Sequence, residues 1–328
     1  MSRRVVFRAD ASHRLGYGHV ARIAAVVEAV AAAGGEPVLM IDGDAGVTGW
    51  LASQGLAAEV RAWTLDDLLA AAPDTVVIDG APLAEALVPA LAARAIRTAV
   101  IDDRGGCALP ADTIINHNHH AAALAASYPR ARRLLLGRGY LMLRAALRRL
   151  GRGACRPPPG DRLRLAVSFG GSDPVGATVR TLRALPDDRT LHVLAIAGPG
   201  YRDLAALRAV ASPHVVEVIV APGEPGAIFA TAHAAVGSAG GTLGELAYLG
   251  CPAYALAIVD DQRAPARALA RDGLIAGGDD WATLTDIALR ADLRAFLRDA
   301  AGRDALAARA LATADGEGPA RIADELLR

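Results

Sequence analysis

Short apolar runs that alternate with longer Ala/Leu/Arg stretches of helical period constrain this chain more than any other feature. The runs at 5–7, 37–41, 75–78, 98–101 and 113–115 read as buried strands, and helical patterns near 20–33, 83–94 and 120–127 fit between them. That alternation predicts a parallel sheet covered by helices. It stops once, at 151–160, where three prolines and three glycines can neither continue a helix nor sit inside a sheet. Beyond that linker the pattern restarts, with strands expected near 163–169, 191–197, 215–220, 234–236 and 253–257. The expectation is an α/β chain of two Rossmann-like domains, 1–150 and 161–328, facing across a cleft, with ligands outside the carboxyl ends of the strands.

Composition narrows the function classes. Hydrophobic residues make up 53% of the 328 and charged residues 21%, which describes a well-buried protein rather than a disordered one. Basic and acidic side chains balance at 35 each, which argues against a nucleic-acid surface as the main business of the chain. No run of about 20 apolar residues suggests a membrane span, and Ser2-Arg3-Arg4 leads directly into a strand pattern rather than a signal peptide. Cys107, Cys155 and Cys251 are scattered without disulfide or metal spacing, so a reducing cytoplasm is the expected compartment.

In the first domain, Gly16-Tyr17-Gly18-His19 lies between the first strand and the first helix. Two glycines permit a tight turn and close approach to a ligand, and the new helix offers free N–H groups and a positive dipole end. His19 brings to that place a group able to exchange a proton at neutral pH, although a plain strand-to-helix turn containing a histidine has the same sequence. Arg22 follows three residues later on the same helical face. Arg8 and Asp10 end the strand ahead of the loop. Asp10 or Arg22 would orient His19 or a substrate, or else these residues form ordinary ion pairs. Asp79, Asp102 and Asp103 fall at strand ends and are further candidates. Asn116-His117-Asn118-His119-His120 has no acid or cysteine at zinc spacing, so a metal site is not expected, and Asn116 and Asn118 read as polar groups lining the cleft. Tyr140 and Arg144, four apart, close the domain from the hinge side.

In the second domain, Gly237-Ser238-Ala239-Gly240-Gly241-Thr242 opens a helical stretch. Such a loop can hold a diphosphate through backbone N–H groups, helped by the Ser238 and Thr242 hydroxyls. Glu245, one turn on, either accepts from two ribose hydroxyls or is a helix-start charge favoured by the dipole. Ser168-Phe169-Gly170-Gly171-Ser172-Asp173-Pro174 is a second phosphate-compatible loop, in which Asp173 reads as a helix N-cap with Pro174 at the first helical position.

Taken in order, Arg8-x-Asp10, Gly16-x-Gly18-His19-x-x-Arg22, Ile101-Asp102-Asp103, Asn116-x-Asn118, Tyr140-x-x-x-Arg144, Ser168-Phe169-Gly170-Gly171-x-Asp173-Pro174 and Gly240-Gly241-Thr242-x-x-Glu245 resemble one family. It is the UDP-2,4-diacetamido-2,4,6-trideoxy-β-L-altropyranose hydrolases of pseudaminic acid biosynthesis, a route linked to flagellin glycosylation. The resemblance runs from about residue 4 to 275. That family is similar to the GT-B glycosyltransferases, including the N-acetylglucosaminyltransferase of peptidoglycan synthesis, which share the Gly-Gly-Thr-x-x-Glu region and a downstream glutamine, here Gln262.

The resemblance implies that the first domain holds the sugar through Arg8, Asp10, Gly16, Tyr17, Gly18, Arg22, Asp79, Asn116, Asn118, Tyr140 and Arg144. It implies that the second holds UDP through Gly171, Ser238, Gly240, Gly241, Thr242, Glu245 and Gln262. His19 would activate water for inverting attack at the anomeric carbon, with no metal and no cofactor. The chain departs from the family at Gly80-Ala81-Pro82, where many relatives carry an aromatic residue or histidine, at Asp260-Asp261 before Gln262, and at Gly139. The same residues also fit two other readings: a GT-B glycosyltransferase with a hydroxyl acceptor in place of water, and a nucleotide-sugar sensor without turnover.

Overall fold

A computed structural model describes residues 2–12, 16–160, 162–187 and 191–328. The chain divides into two compact units, one of 1–145 with 316–328 and the other of 146–315.

The first unit is built on seven strands: β1 (Arg4–Ala11), β2 (Glu36–Gly43), β3 (Glu59–Val60), β4 (Thr75–Asp79), β5 (Arg97–Ile101), β6 (Thr113–Asn116) and β7 (Arg133–Leu136). All pair in parallel, in the order β3-β2-β1-β4-β5-β6-β7. Val5, Val6 and Phe7 are fully buried although they alternate between faces, as a central strand covered on both sides requires. The Gly18–Ala32 helix lies over one face through Val20, Ile23, Val26, Val27 and Val30, the spacing of an apolar helical stripe.

The second unit repeats the plan with β8 (Leu163–Ser168), β9 (Leu191–Ala197), β10 (Val215–Val220), β11 (Ala234–Ser238), β12 (Ala253–Ala257) and β13 (Ala276–Asp280). These too are all parallel, in the order β10-β9-β8-β11-β12-β13. In each sheet the strand order reverses once, between β1 and β4 and between β8 and β11. Those are the topological switch points at which open α/β sheets bind ligands.

The terminal helix, Gly318–Leu326, belongs to the first unit, whereas the sequence assigned everything after 161 to the second. Ile322, Ala323 and Leu326 enter the same core as β1 and the first helix. Two bare backbone positions let it dock. A Cβ on Gly318 would lie 2.2 Å from the Leu141 carbonyl oxygen, and one on Gly35 would lie 2.7 Å from Leu327. The expected linker is packed into the second unit, where the N–H groups of Gly153, Cys155 and Arg156 donate to the carbonyls of Tyr248, Leu249 and Ala230.

Three further local differences have plain causes. The strands that the apolar pattern missed, β3, β7 and β13, are all sheet edges, and β13 reads Ala-Gly-Gly-Asp-Asp. The stretch near 120–127 is a 3-10 helix, Ala121–Ser127, rather than an α-helix. Asp173 is not the N-cap. Gly176 is, and the helix runs Ala177–Ala184, with Pro174 in the preceding turn. The Asp173 carboxylate nevertheless reaches forward and accepts from the N–H groups of Ala177 and Thr178, both at 2.8 Å.

Candidate active site

β1 leads through the glycine loop into the first helix, so His19 sits in the opening turn of that helix, beside the β1/β4 switch point. Part of the loop, 13–15, lies outside the described residues. Gly16 has a φ of +85° and donates its N–H to Ser12, which closes the turn that glycine tolerates and other residues resist. Among the described residues, no heavy atom beyond the chain neighbours stands within 4 Å of where a Cβ would be on Gly16 or Gly18.

β4 pairs with β1 so that Asp79 lies opposite Ala9, and its carboxylate emerges at the carboxyl edge of the sheet. There it accepts from His19 Nδ1 at 2.7 Å, from Arg22 Nε at 2.6 Å and from Arg22 Nη2 at 2.5 Å. Arg22 also donates through Nη1 to Asp103 at 2.5 Å. Asn118 holds Asp103 in turn, its Nδ2 donating to the Asp103 carbonyl at 3.1 Å. Burial opposes ionisation of Asp79, whose side chain is 0% exposed, yet the Arg22 guanidinium and the His19 hydrogen bond hold its carboxyl below the ordinary value. The same opposition, resolved mainly by Arg22, brings Asp103 down to about 2.

An ionised Asp79 can only accept, so Nδ1 is the donor in this contact, and in the neutral imidazole the lone pair is then on Nε2. Arg22 Nη2, 3.1 Å from Nδ1, carries no lone pair to accept with and directs one of its two N–H bonds to Asp79. The His19 side chain is 34% exposed, which leaves Nε2 able to meet a ligand or water. Two carboxylates and one guanidinium leave this cluster with a residual negative charge that balances the positive charge His19 acquires on taking a proton. A carboxylate, a histidine locked into one tautomer and an exposed Nε2 are the parts of a general base.

Of the expected first-domain residues, the structure gathers His19, Arg22, Asp79 and Asn118 around this centre and places others elsewhere. Asp10 pairs with Arg8 at 2.5 Å and does not orient His19. Tyr17 is buried, 6% exposed, with its ring 6.3 Å from that of Trp50. Arg144 reaches Gln54 and stands 5.9 Å over the same Trp50 ring. Tyr140 packs against the first unit's core. Asn116 is fully enclosed. It donates to the Tyr128 hydroxyl and accepts from the Asn118 N–H, so it braces the loop that carries Asn118. Asp102 accepts from the N–H groups of Arg104 and Gly105 and shapes a turn.

His117 lies beside this cluster, close enough for Asp103 and Arg22 to act on it electrostatically. Its Nδ1 is buried without a hydrogen-bond partner, and burial lowers its pKa to about 4 despite Asp103 nearby, so it is neutral at pH 7.

In the second unit the glycine loops converge at the β8/β11 switch point. Ser168 ends β8 opposite Gly237 of β11, which passes so close that a Cβ on Gly237 would lie 2.2 Å from the Ser168 carbonyl oxygen. The Ser238 hydroxyl lies between the two loops, 4.0 Å from a Cβ position on Gly170 and 3.8 Å from one on Gly240. Gln262 joins them. Its Nε2 is 3.4 Å from the same Gly240 position, while its Oε1 accepts from the Ile258 N–H at 3.1 Å. Gly241 is the N-cap of the Thr242–Leu249 helix, and Glu245 sits in the first turn of that helix. The sequence reading missed Gly198. It follows β9, and a Cβ there would lie 2.5 Å from Gly171 Cα. A glycine directly after a strand at its carboxyl end was the available signal. Three glycine-bearing loops thus pack backbone against backbone, with the Ser238 hydroxyl between two of them, and the helix that opens at Thr242 begins beside them; a helix start beside a glycine loop is an arrangement suited to phosphate oxygens.

No protein-family model matches this sequence, and no curated protein does. Solved structures resemble it over nearly its whole length. MurG of Acinetobacter baumannii superposes with a TM-score of 0.69 at 16% identity, covering 99% of each chain. S. aureus MnaA, solved with UDP, gives 0.67 at 12% identity over 99% of this chain and 96% of that one. The spinosyn rhamnosyltransferase SpnG, complexed with thymidine diphosphate, gives 0.69 at 15% identity over 99% and 100%. With the two parallel sheets, these likenesses establish a GT-B-like fold of two Rossmann-type units.

Proposed function

We propose that this chain is a nucleotide-sugar enzyme in which the His19–Asp79 pair is the general base and the second unit's glycine loops hold a nucleoside diphosphate. The observation that carries the reading is the 2.7 Å contact from His19 Nδ1 to a buried, ionised Asp79, which leaves Nε2 free. A glycine-loop site supports the nucleotide half, as do the UDP and thymidine diphosphate bound by MnaA and SpnG.

The finer proposal is hydrolysis of UDP-2,4-diacetamido-2,4,6-trideoxy-β-L-altropyranose. It rests on the ordered motifs from Arg8 to Glu245 and their resemblance to that hydrolase family. His19 Nε2 takes a proton from water, the water oxygen bonds to the anomeric carbon, and the bond from that carbon to the diphosphate oxygen breaks. UDP leaves with the bonding pair and the free sugar has the inverted configuration. Asp79 keeps the imidazolium oriented and compensates its charge, and Arg22 fixes Asp79. The N–H groups around Gly171, Gly240 and Gly241, with Ser238 and Thr242, bear the charge that grows on the departing diphosphate.

A second reading has its own support in SpnG, whose name specifies sugar transfer. The same base would deprotonate an acceptor hydroxyl instead of water. UDP release measured with the nucleotide sugar alone separates the two. Multiple turnovers without acceptor support hydrolysis. Turnover only when an acceptor is supplied supports transfer, and binding without turnover refutes both.

A further inference from the structure

Cys155 and Cys251 lie 96 positions apart in the sequence and come together in the second unit. Cys155 stands in the glycine and proline-rich segment, held by its N–H to the Leu249 carbonyl at 2.9 Å. Cys251 follows the Thr242–Leu249 helix and donates its N–H to Leu246, also at 2.9 Å. Both thiols approach one acceptor, the Ala232 carbonyl, Cys155 Sγ at 3.1 Å and Cys251 Sγ at 4.0 Å. Their surroundings differ. Cys251 is 2% exposed, whereas Cys155 is only half-buried and neighbours Arg156.

From this geometry we propose that Cys155 and Cys251 form a redox pair, with Cys155 the attacking thiol and Cys251 the resolving one. The neighbouring Cys251 thiol, with Arg156 nearby, holds Cys155 below the ordinary thiol value, while the Cys155 thiol and burial push Cys251 upward; Cys155 is also the more exposed of the two. A hydroperoxide is the co-reactant. The Cys155 sulfur attacks one peroxide oxygen, the O–O bond breaks, and Cys155 becomes a sulfenic acid as the peroxide is reduced to water or alcohol. The Cys251 sulfur then attacks the Cys155 sulfur, the S–O bond breaks, water leaves and a disulfide remains. The product ties the 151–160 segment to the carboxyl end of the helix whose first turn bears Glu245. Cys107 is the internal control, since burial raises its pKa and neither of the other thiols is its partner.

The test uses the full chain. Treatment with hydrogen peroxide, followed by alkylation and peptide mapping by mass spectrometry, is expected to yield a Cys155–Cys251 disulfide with the loss of two hydrogens, while Cys107 stays alkylatable. Closing so long a loop is expected to raise the unfolding temperature by roughly 5–10 °C, reversed by dithiothreitol. Because a change at buried Cys251 carries a folding risk, Cys251→Ala and Cys155→Ser are both made. In Cys251→Ala a dimedone-type probe is expected to trap the Cys155 sulfenic acid at least tenfold faster than it labels Cys107. Peroxide that modifies Cys107 as fast as Cys155, or that carries Cys155 to sulfinic acid in the unsubstituted chain without a disulfide, overturns the proposal.

Discussion

Replacing Asp79 by asparagine probes the centre with the least change of shape. Asp79 accepts three charge-assisted hydrogen bonds in a site with no solvent exposure of its side chain. Asparagine keeps one acceptor oxygen and turns the other into a donor, so it cannot serve both Arg22 nitrogens and His19 Nδ1. If its oxygen stays with Arg22, its NH₂ faces Nδ1, and the imidazole moves its proton to Nε2, where it can no longer act as a base. In a serine-protease triad the equivalent change lowers kcat by about 10⁴, and a loss of about 10³- to 10⁴-fold in kcat for UDP release is expected here. Breaking one partner of a buried ion pair costs about 3–5 kcal/mol. Arg22 retains Asp103, so the expected loss in urea unfolding is smaller, about 2–3 kcal/mol. UDP affinity, measured by calorimetry, should change less than threefold, because the glycine loops proposed to hold it lie in the other unit. A folded Asp79→Asn enzyme with kcat within threefold of the original would refute the role of the pair.

Three further outcomes follow from the same geometry. His19→Ala should abolish UDP release, at least 10³-fold in kcat, with UDP affinity nearly unchanged; full turnover in that variant would sink the mechanism. Gly198→Ala places a methyl 2.5 Å from the Gly171 backbone, so it should weaken UDP binding at least tenfold and cost about 1–3 kcal/mol in stability, against little change in the His19 cluster. His117 stays neutral in the folded chain down to about pH 4 but protonates near 6.5 when unfolded. The unfolded chain therefore binds the extra proton between those values, and acidification from pH 6.5 to 4 should remove up to about 3 kcal/mol of stability. His117→Asn should flatten that slope in urea titrations, and an unchanged slope would contradict the assignment.

How far the fold could be read in advance depended on burial. Central strands such as β1 and β9 are covered on both faces, so their apolar runs stand out, whereas the edge strands β3 and β13 carry no such run; β7 has Leu134, Leu135 and Leu136, a run short enough to fit a helix as well as a strand. The terminal helix has an ordinary amphipathic pattern, and nothing local says which core its apolar side will enter. At the site, the proximity of His19 and Arg22 follows from helical spacing, but the partner of His19 does not. Asp10 was nearer in sequence, yet β1–β4 pairing delivers Asp79 from 60 residues away. Asn116 looked like a ligand group because it is polar at a strand end. A buried amide must be satisfied internally, and Tyr128 and the Asn118 backbone do that.

The central claim is that His19, held by Asp79, delivers an oxygen nucleophile to the anomeric carbon of a nucleotide sugar. Proton NMR of the reaction with a panel of UDP-linked diacetamido sugars and no acceptor tests it most directly. The account predicts stoichiometric UDP and free sugar that first appears with inverted anomeric configuration, absent with His19→Ala. First-formed sugar of retained configuration, or undiminished release by His19→Ala, would contradict it.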